Sequence, residues 1–255
     1  MATLQNFDAE IEKTKQVVEE MRSKIEQSGT VLDRFAQADQ KIGEIYDCDG
    51  SGFDHEITAL DATKHNLVEG NTFALAVKYY STSGGNAVQN AGQHGIFRHN
   101  LVYDTNAGIS MQRYSDEANS DTNNRVYNNV MANNECGGVS IGQGTSTQLT
   151  DNRFRNNILF GNTGCEGAGN AQVVYRGLAG FSFDHNNLYG SAVGDEVVQE
   201  LFGSGSTLTS MEAAQPGLFQ DNLNVDPLFV DAPGRDYHLS SGSPMVDAGA
   251  HLTNT

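Results

Sequence analysis

Five side chains suited to binding an acidic sugar occur at equivalent positions of a sequence repeat. Each stands two residues before an asparagine that returns at regular spacing, and they are Lys64, Arg98, Tyr127, Arg155 and His185. Guanidinium groups pair with carboxylates and aromatic rings stack on sugar faces, so the pattern predicts a ridge that binds an anionic polysaccharide. The alternative is that these long side chains only cover the protein surface and pair with the abundant acids.

A second set of oxygen-bearing side chains occurs at alternating positions near residue 50. Asp47, Asp49, Ser51 and Asp54 resemble the start of an EF-hand calcium loop, with glycine for the sharp turn, and therefore predict a Ca²⁺ site. The twelfth position is Thr58 where that loop carries Glu, so the bidentate ligand is missing. The alternative is an Asp/Gly-rich turn that joins two modules. The sequence requires no other cofactor.

Apolar residues in the first 45 positions follow a heptad. Its a and d positions hold Leu4, Phe7, Ile11, Thr14, Val18, Met21, Ile25, Ser28, Leu32, Phe35 and Ile42. So narrow an apolar stripe is usually buried against partner helices, which predicts an oligomer held through residues 4–42. Gly29 and Thr30 favour an alternative, a helical hairpin broken at that point. A single helix that packs on the end of the next domain is a third possibility.

The rest of the chain repeats. The shared asparagines are Asn66, Asn100, Asn129, Asn157 and Asn187, separated by 34, 29, 28 and 30 residues. Short β-branched and aromatic runs between Asn and Gly predict an all-β solenoid whose coils stack about 4.8 Å apart. The residues that follow the asparagines would form an inward apolar column, and they are Leu67, Leu101, Val130, Ile158 and Leu188.

This Asn-rich repeat resembles right-handed parallel β-helix proteins of the pectate-lyase-like group, over roughly residues 55–192. The run Asn224–Gly249 is similar to the closing segment of many bacterial and phage β-helix proteins. Residues 203–223 break the repeat and predict a loop with a short helix near Ser210–Ala214.

The chain therefore divides into three predicted parts. Residues 1–46 form the helical oligomerisation or docking segment, residues 47–58 a junction, and residues 59–255 the parallel β-helix with its irregular closing segment.

The resemblance also directs attention to arginines near acidic loops. β-Helix lyases use a cation to neutralise the uronate of the substrate and an Arg or Lys to remove the adjacent proton. Arg113 and Glu117 lie in the longest insertion between strands, and Arg176 ends the matching strand one or two coils later. The stringent catalytic motifs of these enzymes do not occur, so the three residues are candidates only, and a mobile acidic loop is the alternative.

Charge and composition exclude several classes of function. The 15 basic and 32 acidic residues give a net charge of −17, which repels nucleic-acid phosphates. The sequence contains no run of 18 apolar residues that could span a membrane. The polar N-terminus predicts that there is no signal peptide. Three cysteines cannot form a disulfide framework, although Cys136 and Cys165 could stack as neighbours.

The order of parts, a helical stalk followed by a β-helix, resembles phage tailspike and tail-fibre proteins. That resemblance implies a virion-type or surface-fibre protein, trimeric through its stalk, that presents a β-helix face to a polysaccharide or cell-surface glycan. Such a protein reaches the virion or the extracellular space after lysis. The alternatives on the same fold are a polysaccharide lyase or glycoside hydrolase acting on an acidic polysaccharide, and a purely structural spacer.

Overall fold

The computed structural model of the chain describes residues 44–46, 53–56, 67–74, 85–111, 122–142, 150–165, 169–201 and 203–251. Within these ranges the protein is a parallel β-solenoid with three sheets. Sheet A consists of β1 (Glu44–Tyr46), β4 (Thr72–Ala74), β7 (Leu101–Tyr103), β10 (Val130–Ala132), β13 (Ile158–Phe160) and β16 (Asn187–Tyr189).

Sheet B consists of β2 (Phe53–Glu56), β5 (Val88–Ala91), β8 (Ile109–Met111), β11 (Val139–Ile141), β14 (Val173–Tyr175), β17 (Glu196–Glu200) and β18 (Gly205–Thr207). Sheet C consists of β3 (Leu67–Glu69), β6 (Ile96–Arg98), β9 (Arg125–Tyr127), β12 (Asn152–Arg155), β15 (Phe181–Asp184) and β19 (Phe219–Gln220). All pairs within the sheets are parallel except β17 with β18.

The chain visits the three sheets in turn. Strands β12, β13 and β14 belong to sheets C, A and B, and β15 then returns to pair with β12. Each coil is too short to bury a core by itself, so the strands gain their partners from the coils above and below. The predicted all-β parallel solenoid is confirmed, and its right-handed winding stays a prediction.

Each bend from sheet C to sheet A is made by a residue with a left-handed backbone followed by an inward asparagine. The left-handed residues are Gly70, His99, Asn128, Asn156, His185 and Asp221. The inward asparagines that follow them are Asn71, Asn100, Asn129, Asn157, Asn186 and Asn222. Asn and His tolerate this conformation better than most residues, which explains why Asn-Asn and His-Asn pairs mark the repeat.

The inward asparagines form a continuous ladder of hydrogen bonds. The Asn129 Oδ1 atom accepts from the backbone N–H of Asn100 at 3.0 Å and from its Nδ2 at 2.9 Å. The Asn129 Nδ2 group donates to Asn157 Oδ1 at 2.9 Å and to the Phe97 carbonyl at 3.0 Å. Among the described residues the ladder therefore satisfies the buried backbone and amide groups at most of these bends, although Asn71 Oδ1, at its first position, accepts no hydrogen bond.

The predicted register is wrong at both ends of the repeat. Leu67 pairs with Ile96 in sheet C, so the first ladder asparagine is Asn71, and Asn66 lies outside the described residues. At the other end Asn187 lies in β16 and pairs with Ile158, while Asn186 occupies the ladder. Adjacent asparagines made the two positions indistinguishable from sequence.

The predicted inward column is also displaced by one residue. The buried column of sheet A consists of Phe73, Val102, Met131, Leu159 and Leu188. Of the predicted residues only Leu188 belongs to it. Leu101, Val130 and Ile158 point outward and are half-buried, and Leu67 is 49% exposed. In sheet C the core is a stack of rings, in which Phe154 and Phe183 have centroids 4.8 Å apart.

A helix covers the C-terminal end of the solenoid. Helix α1 (Leu208–Ala214) begins at Thr207, whose Oγ1 accepts from the Ser210 N–H at 3.2 Å. Its Leu208 and Met211 are buried in the main core. The expected short helix is confirmed, although the chain then rejoins sheet C as β19 rather than remaining a loop.

The outer face of sheet A is covered by the end of the chain. The hairpin of β20 (Phe229–Asp231) and β21 (Asp236–Leu239) places Tyr237 against Tyr103 and the half-buried Leu101 and Val130. The Tyr237 hydroxyl accepts from Asn133 Nδ2 at 2.9 Å. The outward residues of sheet A are therefore apolar because they form a second, smaller core.

Several expectations concern the N-terminal part of the chain. The predicted oligomerising helix over residues 4–42 lies outside the described residues. Strands β1 and β2 precede residue 59, where the β-helix was expected to begin. Across the described ranges, no helix is long and apolar enough to cross a membrane. Cys136 and Cys165 lie one coil apart and form a disulfide.

Candidate functional site

The outer face of sheet C brings together three of the five residues predicted to bind a polysaccharide. Arg98 is in register with Tyr127, and Tyr127 with Arg155, so the three side chains form one outward column. Lys64 lies outside the described residues. His185 lies one position beyond the column, at the bend that follows β15.

Acidic residues occupy the positions above and below these arginines. Glu69 is in register with Arg98, and Asp184 with Arg155. Gln220 in β19 continues the column beyond Asp184. The column therefore has one arginine on each side of Tyr127 and an acid beyond each arginine. The sequence did not predict these acids because its alignment placed Lys64 and His185 at their positions.

Arg98 is fully engaged by its neighbours. Its Nη2 donates to Glu69 Oε2 at 2.9 Å and its Nη1 to the Tyr127 hydroxyl at 3.0 Å. Its Nε lies 2.8 Å from Glu69 Oε1, although the N–H is not aligned for a hydrogen bond. The hydrogen bond from Arg98 lowers the pKa of Glu69, and the same bond raises the pKa of the guanidinium. The two side chains therefore form an ion pair at neutral pH.

A second outward column lies beside the first. Arg125, Arg153 and Ser182 are in register, and Asp151 binds both arginines. Arg125 Nη2 lies 2.8 Å from Asp151 Oδ2, and Arg153 Nε lies 2.9 Å from Oδ1. Burial raises the pKa of Asp151, but the hydrogen bonds from the two arginines outweigh it, so the pKa is lowered overall. One carboxylate thus serves two cations.

Sequence reasoning did not identify this second column. Arg153 and Arg155 are two residues apart in β12, and alternate residues of a strand face the same side. The two-residue spacing of these arginines could therefore have predicted a pair of guanidinium groups on one face of the strand.

Arg153 and Arg155 differ from Arg98 and Arg125 in that the Nη1 and Nη2 groups of their guanidinium ends have no partner among the described residues. Arg155 donates from Nε to Asp184 Oδ1, and Arg153 donates from Nε to Asp151 Oδ1. Within the described ranges, neither arginine uses its Nη1 or Nη2 in a hydrogen bond or ion pair. By contrast, Arg125 donates from Nη1 to two backbone carbonyls and from Nη2 to Asp151.

Arg153 and Arg155 both line a cavity of about 400 Å³ at the C-terminal end of sheet C. Ser182, Asp184 and Gln220 also line it, and Gly217 lies in the segment that follows α1. The volume lies in the range of small-molecule sites. Most of the lining residues belong to the hydrogen-bonded strands β12, β15 and β19, so their backbone positions are set by the sheet.

The cavity offers acceptors as well as donors. Asp184 receives hydrogen bonds from Arg155 and His185 at Oδ1 only. Gln220 uses its Nε2 to bond the Pro216 carbonyl. No residue of the described ranges bonds to Asp184 Oδ2, Gln220 Oε1 or the Ser182 hydroxyl. This mixture of free donors and acceptors suits a ligand with several hydroxyl groups.

The remaining predicted sites are only partly described. Arg113 and Glu117 lie outside the described residues, whereas Arg176 is exposed after β14 and its backbone N–H donates to Ile141 O at 3.0 Å. Tyr175 aligns with Ile141, which aligns with Met111, so Arg176 ends a strand two coils after the one that precedes Arg113.

The predicted calcium site is likewise mostly undescribed. Asp47, Asp49 and Ser51 lie outside the described residues, and Asp54 lies within β2. Of the residues that the structure describes, no three or more His, Cys, Asp and Glu side chains group together as a metal site would require.

Comparison of the chain with protein families, curated proteins and solved structures finds no match. Among the described residues, the outer face of sheet C and its cavity are therefore the features that bear on function.

Proposed function

We propose that the protein is a surface-fibre or virion-type structural protein that presents the outer face of sheet C for carbohydrate binding. The observation that carries the proposal is the cavity of about 400 Å³ in which Arg153, Arg155, Ser182, Asp184 and Gln220 retain unused donors and acceptors. Arg155, Ser182 and Asp184 are buried or half-buried, whereas Arg153 and Gln220 are exposed. The convergence of their unused polar groups in one concave place favours a polar ligand.

The shape of the face favours a chain-like ligand. From β6 to β19 the outward side chains cover five strands, and neighbouring strands are about 4.8 Å apart. The face is therefore about 19 Å long, which suits an oligosaccharide lying along the solenoid axis. Sheet A offers no comparable surface because the β20–β21 hairpin packs on its outer residues.

The charges on sheet C favour binding over hydrolysis. A glycoside hydrolase needs one carboxyl group that is protonated and one that is ionised. The lowered pKa of Asp151 keeps this carboxylate charged, and Asp184 is paired with Arg155. Asp151 therefore orients two arginines instead of donating a proton, and Asp184 orients Arg155 through their ion pair.

Other parts of the proposal rest on the sequence. The heptad over residues 4–42 supports a homo-oligomer, with a trimer favoured by the resemblance to tailspikes. A virion or extracellular location after lysis accompanies that resemblance. A Ca²⁺ ion at Asp47, Asp49, Ser51 and Asp54 is proposed on the spacing of those oxygen ligands alone.

A substitution that blocks the cavity tests the proposal. Gly217 lines the cavity, and a side chain added there meets open space, so Gly217→Trp should fill the cavity without straining the fold. Gly242→Trp is the matched control, because that glycine is equally open and lies in the C-terminal segment. The measurement is retention of the full-length protein on immobilised neutral and acidic polysaccharides.

We expect the wild type and Gly242→Trp to be retained on the same polysaccharide and Gly217→Trp to be lost from it. Retention of Gly217→Trp at the wild-type level would exclude the cavity as the binding site. Failure of the wild type to bind any neutral or acidic polysaccharide would contradict the proposed function as a whole.

A further inference from the structure

We infer that the cavity on sheet C binds the carboxylate of a uronic-acid residue through the free guanidinium ends of Arg153 and Arg155. The inference rests on the proposed carbohydrate binding and adds the chemical class of the sugar.

The two guanidinium groups form a pre-oriented pair. They project from the same face of β12, about 6.6 Å apart at the backbone, because alternate residues of a strand are separated by two rises of about 3.3 Å. Each is fixed at Nε by a carboxylate, Asp151 for Arg153 and Asp184 for Arg155. The edge that carries Nη1 and Nη2 is left to form the paired, parallel hydrogen bonds that a planar carboxylate accepts.

The local charge selects a monoanion. Among the residues that the structure describes, the outer face of sheet C carries four arginines, Arg98, Arg125, Arg153 and Arg155, against the three carboxylates Glu69, Asp151 and Asp184. The surplus arises because Asp151 neutralises only one of its two arginines. A single negative charge balances this surplus, whereas a dianion such as a phosphate monoester leaves a second charge close to Asp151 and Asp184.

The rest of the cavity suits the hydroxyl groups of the same sugar. Asp184 Oδ2 and Gln220 Oε1 can accept from hydroxyl groups, and the Ser182 hydroxyl can donate or accept. Donors for the carboxylate lie on β12, and acceptors for hydroxyl groups lie on β15 and β19. A uronic-acid ring, with one carboxylate and several hydroxyl groups, matches both sets at once.

The other two arginines cannot serve in the same way. Arg98 uses both Nη groups for Glu69 and Tyr127, and Arg125 uses both for Asp151 and backbone carbonyls. An incoming carboxylate at either would have to displace an existing partner. The structure thus assigns the anion to the end of sheet C where the cavity lies.

The test compares polysaccharides that differ only at the carboxyl group. Full-length protein is passed over immobilised polygalacturonate, alginate and hyaluronan, and over the same polymers after reduction of their carboxyl groups to alcohols. Sulfated dextran and plain dextran form a further pair, which tests whether the protein prefers a sulfate group to a carboxylate. The variants are Arg153→Gln with Arg155→Gln and the charge-preserving pair Arg153→Lys with Arg155→Lys. Arg235→Gln is the charge control, because Arg235 lies in the turn between β20 and β21, away from sheet C, where it pairs with Asp104.

We expect at least one uronate polymer to bind at least about tenfold more tightly than its reduced form, the loss typical of one charge-assisted contact. The glutamine pair should abolish the difference, the lysine pair should reduce it, and Arg235→Gln should retain it. Thermal unfolding monitored by circular dichroism shows whether each variant is folded. If the glutamine double variant does not fold, the comparison is made with the lysine double variant.

Equal binding of the acidic and reduced polymers would overturn the carboxylate assignment while leaving carbohydrate binding in place. Preference for sulfated dextran over every uronate polymer would overturn it in favour of a sulfate. Absence of binding to all polymers, neutral ones included, would overturn both the assignment and the proposed function.

Discussion

Arg98 and Arg155 occupy the same outward column of sheet C, with Tyr127 between them, but only Arg155 has a free guanidinium end. Arg98 is held by Glu69 on the preceding strand and by the Tyr127 hydroxyl on the following one. Arg155 is held at Nε alone, by Asp184. We therefore expect identical residues at equivalent positions to have different uses, surface cover for Arg98 and ligand contact for Arg155.

Substitution of each arginine in turn should separate these uses. Arg98→Gln and Arg155→Gln each break one partly exposed ion pair, so each should cost about 1 kcal/mol or less of unfolding free energy. Only Arg155→Gln removes a free guanidinium end, so only this variant should weaken glycan binding, by about tenfold or more. Urea unfolding and retention on the polysaccharide that binds the wild type provide the two measurements.

An equal loss of binding in the two variants would show that the ridge acts through its overall charge. In that case the distinction between engaged and free guanidinium groups would carry no functional meaning.

The register of sheet A makes a prediction about the core. Met131 is fully buried in the inward column, so Met131→Asp should prevent folding, because an unpaired buried charge costs several kcal/mol. Val130→Asp should fold, with reduced stability, since Val130 is half-buried beneath the C-terminal segment. Soluble yield and the cooperativity of thermal unfolding distinguish the two. Tolerance of Met131→Asp together with misfolding of Val130→Asp would reverse the register.

The asparagine ladder should be far more sensitive than the bends beside it. Asn129→Ala removes hydrogen bonds to Asn100, Asn157 and Phe97 and leaves buried groups without partners, so it should cost about 3 kcal/mol or more. Asn128→Gly keeps the left-handed bend at φ 56° and should change stability by less than about 1 kcal/mol. Chemical denaturation of the two variants gives the comparison, and similar losses would contradict the ladder as a source of stability.

Attachment of the C-terminal segment should depend on pH in the alkaline range. Burial, followed by the nearby Asp104, raises the pKa of Tyr237 from 10.0 to about 12. The unfolded chain therefore loses this proton first, and the stability contributed by the buried neutral phenol is complete below pH 10 and is lost as the pH rises through about 12.

Tyr237→Phe has no proton to lose, so its stability should fall less steeply than that of the wild type between pH 10 and 12. At neutral pH it should cost about 1 kcal/mol, because Asn133 loses its acceptor. Tyr175 and Tyr189 also have raised pKa values, so part of the alkaline loss should remain. Urea unfolding at three pH values tests this, and parallel pH profiles would contradict the burial of the Tyr237 hydroxyl.

The architecture was readable from the sequence because every bend needs the same two residue types. Each bend has a left-handed residue followed by an inward asparagine, so the same pair of residues recurs in the sequence. The spacing between these pairs is the number of residues in one coil. The inward column was not readable, because Leu101 and Val130 on the outer face of sheet A are as apolar as Val102 and Met131 on the inner face. Alternation of apolar and polar residues cannot distinguish the inner from the outer face when both faces of a sheet are covered.

The candidate site was readable only in part. The column of Arg98, Tyr127 and Arg155 followed from the repeat, but its acidic ends did not. The cavity depends on Gln220, which returns to sheet C after an irregular excursion through β18 and α1 that no repeat pattern predicts. Which arginine ends remain free depends on side-chain geometry, and two arginines in one column have the same sequence context.

A crystal structure of the protein soaked with a uronic-acid oligosaccharide would test carboxylate binding on sheet C most directly. We expect one sugar carboxylate within hydrogen-bond distance of the Nη1 and Nη2 groups of Arg153 or Arg155, with hydroxyl groups bonded to Asp184 or Gln220. An oligosaccharide bound on another face, with the sheet C cavity filled only by solvent, would contradict it.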